Sequence, residues 1–241
     1  MEKLRSFPHV IHFFGPDGAG KSTQADILVN MLSRQGFRVK KYWVRSPHTL
    51  AFVLWRIFVR IGFYRSIPNP YGVTVKLPAV DRNPVLRYFW QIVEFISIVP
   101  VIVRSYIYLL SGYRLIAERY ILDAATTIAY FINDIDFIRG RTSKLLFQLI
   151  PKSTAFVFLD SDYDAIYIRR APSIDPRKYS NEVRNNYSLT SKGSLEPPDF
   201  IEFQRKAYKI LAKSFDSLTI DTSELSIEET SHRILQYLEP C

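Results

Sequence analysis

The clearest chemistry in this sequence lies near its amino terminus. Gly15 and the run Gly20–Ser22 fit the pattern G-x-x-x-x-G-K-[ST]. In this pattern the glycines let backbone N–H groups wrap a phosphate, the lysine reaches the outer phosphates, and the hydroxyl holds Mg²⁺. The apolar run Val10–Phe14 before the pattern predicts a buried strand, and the periodicity of Thr23–Leu32 after it predicts a helix. The stretch is therefore predicted to bind nucleotide phosphate. The alternative is a glycine-rich turn with an exposed lysine.

A second candidate group is an acid beside an arginine. Residues 113–120 are predicted to form a strand that delivers Glu118 and Arg119 at its carboxyl end. A carboxylate is a hard oxygen ligand suited to Mg²⁺, and a guanidinium can clamp an anion with two hydrogen bonds. The pair is predicted to serve metal and phosphate, the alternative being a structural ion pair.

Arg45 follows another predicted strand, residues 36–44, at the edge where open α/β sheets place ligands. The residues leave two roles open for it, contact with a substrate phosphate or a surface ion pair.

These groups must be positioned by alternating strands and helices. Apart from the first strand and helix, the patterns predict strands at 36–44, 113–120, 151–160 and 217–221, and helices at 162–170, 200–215 and 227–238. This alternation favours an α/β fold with a parallel sheet. The 241 residues are enough for one domain with a full core, residues 1–241.

The charge balance and cysteine content narrow the partners and the compartment. A net charge of +9 favours anionic partners such as a triphosphate or an acidic lipid; a nucleic acid rests on charge alone and ranks last. The single cysteine is the last residue, so an internal disulfide framework is excluded and a reducing interior is expected. The apolar run before Gly15 is too short for a signal peptide, and we therefore expect a cytoplasmic protein.

Residues 50–110 are unusually apolar and aromatic. Arg56, Arg60 and Arg65 recur every four to five residues, which predicts one flank of a helix, and a loop is predicted from Pro68 to Asn83. The following block, to Leu110, has a longest uncharged run of nine residues, and we expect it not to cross a membrane, which takes about 20. Core helices are favoured; a basic, aromatic surface for anionic lipid or an apolar substrate stays open.

The stretch from residue 169 to residue 195 is polar and basic. It includes Arg169, Arg170 and Arg177 and is predicted to be a lid that closes over phosphates. The alternative is a solvated helix and loop without a role.

In this order, these pieces resemble the thymidylate kinase family of P-loop kinases over nearly the whole chain. Gly15–Thr23 looks like the family's phosphate loop, including an acid at Asp17. Arg45-Ser46-Pro47 stands where the family has Arg-Glu-Pro, and Glu118-Arg119-Tyr120 stands where it has Asp-Arg-Tyr or Asp-Arg-His.

The resemblance implies a P-loop NTPase-type three-layer α/β fold, with a mostly parallel five-stranded sheet, helices on both faces and a lid. It implies ATP and Mg²⁺ as cofactors and a small phosphorylated acceptor. The implied metal ligands are Ser22 and Glu118. The implied acceptor-binding residues are Asp17, Arg45 and Arg119. The implied catalytic residues are Lys21, Asp17, Arg119, Arg169 and Arg177. The implied ATP-binding residues are Gly15, Pro16, Asp17, Gly18, Ala19, Gly20, Lys21, Ser22, Thr23 and Arg170.

Three departures from the family pattern matter. Glu118 is one methylene longer than the family's Asp, so the metal geometry must shift or a water must intervene. In the acceptor half, the family spacing places Ser97 where a thymine-reading arginine is expected, and the family's Ala-Tyr-Gln has only a displaced counterpart in Ala129-Tyr130-Phe131. The resemblance therefore implies a phosphotransferase, with a dTMP kinase as the leading assignment. An ATP-binding regulatory or membrane-surface protein and a kinase for another acceptor stay open, as does a homodimer.

Overall fold

A computed structural model describes residues 7–44, 47–68, 74–170 and 198–239 of the chain. Its main sheet has five parallel strands in the order β2-β5-β1-β6-β7. These strands are β1 (Val10–Phe14), β2 (Val39–Trp43), β5 (Arg114–Glu118), β6 (Thr154–Asp160) and β7 (Leu218–Asp221). The helices described are α1 (Lys21–Arg34), α2 (Thr49–Arg60), α3 (Pro84–Leu110), α4 (Ile121–Phe131), α5 (Arg141–Gln148), α6 (Tyr163–Arg170), α7 (Pro198–Ser214) and α8 (Ile227–Leu238).

Strand β1 lies at the centre of the sheet, and all five of its residues are buried. It pairs in parallel with β5 on one side and β6 on the other. A central parallel strand is covered on both faces, so a continuous buried run is the expected pattern. The pairing brings Phe14, Glu118 and Asp160 to the same edge of the sheet, which is where the predicted site residues should meet.

Helices cover both faces of the sheet. On one face, Leu28 and Leu32 of α1 share a buried cluster with Ile234 and Leu238 of α8. On the other face, residues of α2, α3, α4 and α7 form a larger cluster that includes the buried Trp90. The three-layer α/β fold predicted from the sequence is confirmed.

The segment between α2 and α3 differs from the prediction. Strands β3 (Tyr64–Pro68) and β4 (Thr74–Pro78) form an antiparallel hairpin where a loop was expected. Helix α2 ends before Gly62, whose φ of +81° suits the left-handed position after a helix. Arg65 therefore does not lie on a helix flank with Arg56 and Arg60, and that prediction was wrong. Its guanidinium instead contacts Asp81 at 2.7 Å.

Helix α3 is continuous over 27 residues, through Pro100. Asn83 caps its start by accepting a hydrogen bond from the Leu86 N–H at 2.8 Å, and Pro84 suits its first turn. Despite its charges, α3 is by length and composition apolar enough to cross a membrane, with a mean hydropathy of 1.8 over an 18-residue window that is only 33% buried. One face of the helix packs in the core, where Ser105 and Tyr120 share a hydrogen bond. The other face points outward.

Truncation of two adjacent residues on α3 should therefore lower the stability by very different amounts. Trp90 is fully buried and contacts Phe58 and Phe131, whereas Phe89 is 42% exposed. We expect Trp90→Ala to lower the free energy of unfolding by about 3–5 kcal/mol, and Phe89→Ala to lower it by less than about 1 kcal/mol. Urea denaturation measures both. Equal losses would contradict the orientation of this helix.

Candidate active site

The phosphate-type loop connects β1 to α1 and is held close to the end of β6. Gly15 has φ of +141°, and a Cβ added there would lie 2.0 Å from the carbonyl oxygen of Leu159. Gly20, with φ of +90°, directly precedes the first helical residue, Lys21. The first position of the pattern thus requires glycine both for its backbone angle and for its contact with β6. Helix α1 also points its N-terminus at the loop, which favours anions there.

Lys21 lies over the loop rather than out in solvent. Its side chain is only 4% exposed, and its Nζ donates hydrogen bonds to the carbonyl oxygens of Gly15 at 2.8 Å and Pro16 at 2.7 Å. Asp17 Oδ1 lies 3.6 Å from the same nitrogen. The ammonium group is therefore placed where the pattern requires it, beside the backbone that would surround a phosphate.

Arg119 reaches the same loop from the end of β5. Its side chain is 3% exposed and forms an ion pair with Asp17. Its backbone has φ of +66°, and it is fixed by hydrogen bonds with the neighbouring strands, from its N–H to Phe13 O and from the Val44 N–H to its carbonyl. A non-glycine residue in this region is uncommon and is often found at functional sites. The structure thus brings together two residues that the sequence assigned to the acceptor.

Glu118 and Ser22, which the sequence analysis assigned to a metal, lie in contact. The Ser22 hydroxyl donates a hydrogen bond to Glu118 Oε1. The other carboxylate oxygen, Oε2, lies 3.1 Å from Lys41 Nζ, which also contacts Asp26 at 2.7 Å. Burial tends to lower the pKa of Lys41, but its hydrogen bonds to Asp26 and Glu118 outweigh burial and raise this pKa above its ordinary value. Lys41 therefore stays charged and partly neutralises Glu118.

Sequence reasoning assigned no functional role to Lys41. It lies on β2, at a register position paired with Ile116 of β5, and its side chain extends along the sheet to the end of that strand. A lysine in the alternating pattern of a strand looks like a solvated residue. Only the neighbouring position of β2 and β5 in the sheet reveals the contact.

The octahedral preference of Mg²⁺ fits this group of residues. A hydroxyl and a carboxylate, Ser22 and Glu118, are hard oxygen donors beside the loop, and Mg²⁺ usually binds one or two such groups together with phosphate oxygens and water. Within the described residues there is no cluster of three or more acidic, histidine or cysteine ligands that could hold a metal without a substrate. Ser22 and Glu118 are thus the two oxygen donors that meet beside the loop.

A buried polar network supports the loop from below. Asp123, in the first turn of α4, contacts His12 of β1 at 3.2 Å and accepts a hydrogen bond from the Tyr208 hydroxyl at 2.9 Å. Burial alone would raise the pKa of the Asp123 carboxyl. The hydrogen bond and charge of His12, with the charges of Arg119 and Lys21, hold this pKa below its usual value. An ionised carboxylate is thus placed under the two cations of the loop, where it balances part of their charge.

A cavity of about 480 Å³ opens above the loop. It extends from the loop to the start of α8, where Leu225, Ser226 and Ile227 line it. Arg169 of α6 also lines it, but the guanidinium donates to the backbone carbonyls of Thr222 and Ser223. Arg169 is therefore anchored to the loop after β7. From this position it borders the cavity beyond the phosphate loop.

Several predicted residues lie outside the described part of the chain. These are Arg45, Arg177, the side chain of Arg170 and the lid from residue 171 to residue 195. Ser97, at the position where the resemblance implies a thymine-reading arginine, is buried and bound to its neighbours. Its hydroxyl donates to Val93 O at 2.6 Å and accepts from the Ala51 N–H at 2.9 Å. Through these hydrogen bonds Ser97 links α3 to α2.

Comparisons with known proteins support the fold. Thymidylate kinase from Candida albicans has a similar structure, with a TM-score of 0.54 and 16% sequence identity over 96% of this chain and 91% of that chain. No protein-family model matches the sequence, and no curated protein matches it significantly. The chain therefore has a thymidylate-kinase-like α/β fold.

The close approach of Gly15 to β6 predicts that a side chain at this position would destabilise the protein. Gly15→Ala should force the loop away from Leu159, whereas Gly36→Ala meets no atom within 4 Å of its Cβ and adds only the strain of a positive φ. We expect Gly15→Ala to lower the free energy of unfolding by at least about 2 kcal/mol more than Gly36→Ala. Urea denaturation measures the difference; equal stabilities would show that the loop is not pinned in this way.

Proposed function

We propose that this protein is an ATP-dependent phosphotransferase that moves the γ-phosphoryl group of Mg·ATP to a small phosphorylated acceptor. A nucleoside monophosphate is the proposed acceptor class, and dTMP is its first candidate. The observation that carries the proposal is the placing of Lys21, Arg119 and Asp17 around one glycine loop at the carboxyl edge of the sheet. The proposal also places the protein in the cytoplasm and treats residues 1–241 as one domain with a lid.

On the donor side, each side chain has a defined task. Lys21 would shift from the loop carbonyls to the outer phosphate oxygens, a short movement within the same buried site. Ser22 and Glu118 would hold Mg²⁺, which supplies charge neutralisation between the phosphates when bound. Phosphoryl transfer needs positioning and charge neutralisation more than covalent chemistry, and these residues supply both. Arg169 borders the far end of the cavity, where the remainder of the nucleotide would lie.

Arg119 and Asp17 would act at the junction between donor and acceptor. In the structure they are bound to each other, so neither charge is fully exposed. Arg119 would stabilise the transferring phosphoryl group through its guanidinium, and Asp17 would orient the acceptor. Arg45 and Arg177, as predicted from the sequence, would add positive charge toward the acceptor and the donor phosphates.

Helix α3 carries no arginine at the position that would select thymine, so the acceptor within this class has to be tested. Ser97 is committed to the contact with α2, and the buried acid on the same helix is Glu94. Neither residue is the arginine that the resemblance implies for thymine. Candida albicans thymidylate kinase is itself described as having broad substrate specificity, so a panel of acceptors is the appropriate assay.

A second function is favoured by one observation. Because Asp17 and Arg119 neutralise each other, the same site could bind ATP and transfer nothing, as in an ATP-dependent regulatory protein. In that case nucleotide binding would depend on Lys21 while no acceptor would be phosphorylated.

Phosphoryl transfer from radiolabelled ATP to a panel of nucleoside monophosphates decides between these functions. We expect product with at least one acceptor, and a loss of at least about a hundredfold in its rate of formation with Lys21→Met, because a charged group that contacts the reacting phosphates is removed. Lys206→Met is the matched control, since Lys206 is 64% exposed and pairs with Glu202 on the outside of α7. The control should keep the rate of the unaltered protein.

Product with none of the monophosphates would contradict the nucleotide-kinase proposal. If ATP still binds in a manner that depends on Lys21, the regulatory function would take its place.

A further inference from the structure

The outward face of α2 and α3 carries most of the large exposed apolar side chains of the described residues. Of twenty-one such residues, fifteen lie between residues 50 and 110. Each is at least 37% exposed, and Leu110, at 87%, is the most exposed. Large contiguous apolar surfaces of this kind are uncommon on soluble monomers and usually mark an interaction site. We name these fifteen residues the apolar face: Leu50, Phe52, Val53, Ile57, Ile61, Val85, Tyr88, Phe89, Ile92, Ile96, Val99, Val103, Tyr106, Ile107 and Leu110.

The two helices present one continuous surface. They lie side by side, because Thr49 and Ala51 at the start of α2 are hydrogen-bonded to Ser97 in α3, and Phe58 near the end of α2 contacts Trp90. This places them antiparallel. Both bury their inner faces in the same core cluster. Their outer faces therefore adjoin, and the apolar face extends along the 27 residues of α3, a length of roughly 40 Å.

The exposed charged side chains of α2 and α3 are all basic. They are Arg56 and Arg60 of α2 and Arg104 of α3, which also donates a hydrogen bond to the Tyr108 hydroxyl at 3.1 Å. The one acidic residue in the two helices, both described throughout, is Glu94, which is buried. Arg56 and Arg60 also line a groove of about 570 Å³ whose other walls are apolar side chains of α2. Positive charge at the edge of an apolar surface is complementary to phosphate groups above hydrocarbon.

We propose that the apolar face binds the surface of an anionic phospholipid bilayer, with α2 and α3 lying in the plane of the membrane. Helices that bind in this way bury an apolar face at the boundary of headgroups and acyl chains while basic residues contact the anionic headgroups. Tyr88, Phe89 and Tyr106 suit that boundary, where aromatic rings are enriched. The inner face of α3 remains packed on the sheet, so the helix lies on the bilayer.

A second copy of the chain is the competing occupant. Eight residues from Val85 to Leu110 are spaced by alternating steps of four and three, as in the seam of a coiled coil. In a two-fold symmetric dimer, however, the same surface would be supplied by both copies, and neither α2 nor α3 of the second copy would offer an exposed carboxylate to pair with the arginines. The apolar face is also broader than a seam, because it includes five residues on and just after α2. Both observations favour lipid over a second copy.

Vesicle sedimentation with the full-length protein tests the proposal, and it does not depend on any transfer activity. The probes are vesicles of phosphatidylcholine alone and vesicles containing phosphatidylglycerol. We expect the protein to sediment with the anionic vesicles at low salt and to stay in solution with the neutral ones. Reversing two charges in Arg56→Glu/Arg60→Glu should lower the partition coefficient by at least about tenfold, because each basic residue near an anionic surface contributes to binding.

The matched control is Arg34→Glu/Arg233→Glu, which changes the net charge equally on α1 and α8, on the opposite face of the sheet. The control should bind vesicles like the unaltered protein. A second variant, Ile96→Ser/Val103→Ser, removes exposed apolar groups of α3 without touching a charge and should also weaken binding. All six substituted positions in the three double variants are exposed, so each variant is expected to fold.

Three results would overturn the proposal. One is the absence of binding to anionic vesicles. Another is equal loss of binding in the Arg34/Arg233 control, since binding would then follow net charge rather than this face. The last is a dimer in sedimentation equilibrium that the Ile96→Ser/Val103→Ser substitutions dissociate, together with no binding of the unaltered protein to vesicles. A second copy of the chain would then cover the apolar face.

Discussion

The candidate site depends on the parallel pairing of β1 with β5 and β6. This pairing places the ends of three strands at one edge, so that residues more than 90 positions apart in the sequence come within hydrogen-bonding distance, as Ser22 and Glu118 do. The pinning of Gly15 against Leu159 depends on the same register. A strand shifted by one residue would turn its buried side chains to the other face and separate the loop from the acid and arginine of β5. The chemistry of the site is thus a consequence of sheet register.

Charge balance completes the site. Lys21 and Arg119 are two almost fully buried cations, and such groups are costly unless they are paired or hydrogen-bonded. The loop carbonyls, Asp17 and the buried Asp123 supply that compensation, and Tyr208 and His12 hold Asp123 in turn. The two cations are therefore held beside the loop by partners within the protein.

The sequence predicted the parts of this protein that follow from local pattern. The glycine loop, the strand that ends at Glu118, and the helix Ile227–Leu238 are each set by nearby residues, and the fold they imply is present. The hairpin of β3 and β4 was missed, because its strands are short and carry turn-forming prolines. The roles of Lys41, His12 and Tyr208 were missed for a different reason. Their roles arise only when β2, β1 and α7 are placed beside other elements, and a single sequence does not contain that information.

The apolar character of residues 50–110 was visible in the sequence, but its division between core and surface was not. Prediction favoured core helices, and the structure gives α3 one core face and one outward face. Periodicity alone does not separate the two when both faces of a helix are apolar. The protein thus combines a polar edge suited to nucleotide phosphates with an apolar, basic flank formed by α2 and α3.

The central claim is that the loop from Gly15 to Thr23 holds the phosphates of ATP. Titration of the isotope-labelled protein with Mg·ATP, followed by the backbone amide resonances, tests it most directly. The account predicts that the largest shifts occur at Gly18, Gly20 and Lys21, whose N–H groups would surround the bound phosphates, and that adenosine without phosphates leaves them nearly unchanged. Saturable binding of ATP with the loop resonances unmoved would contradict it.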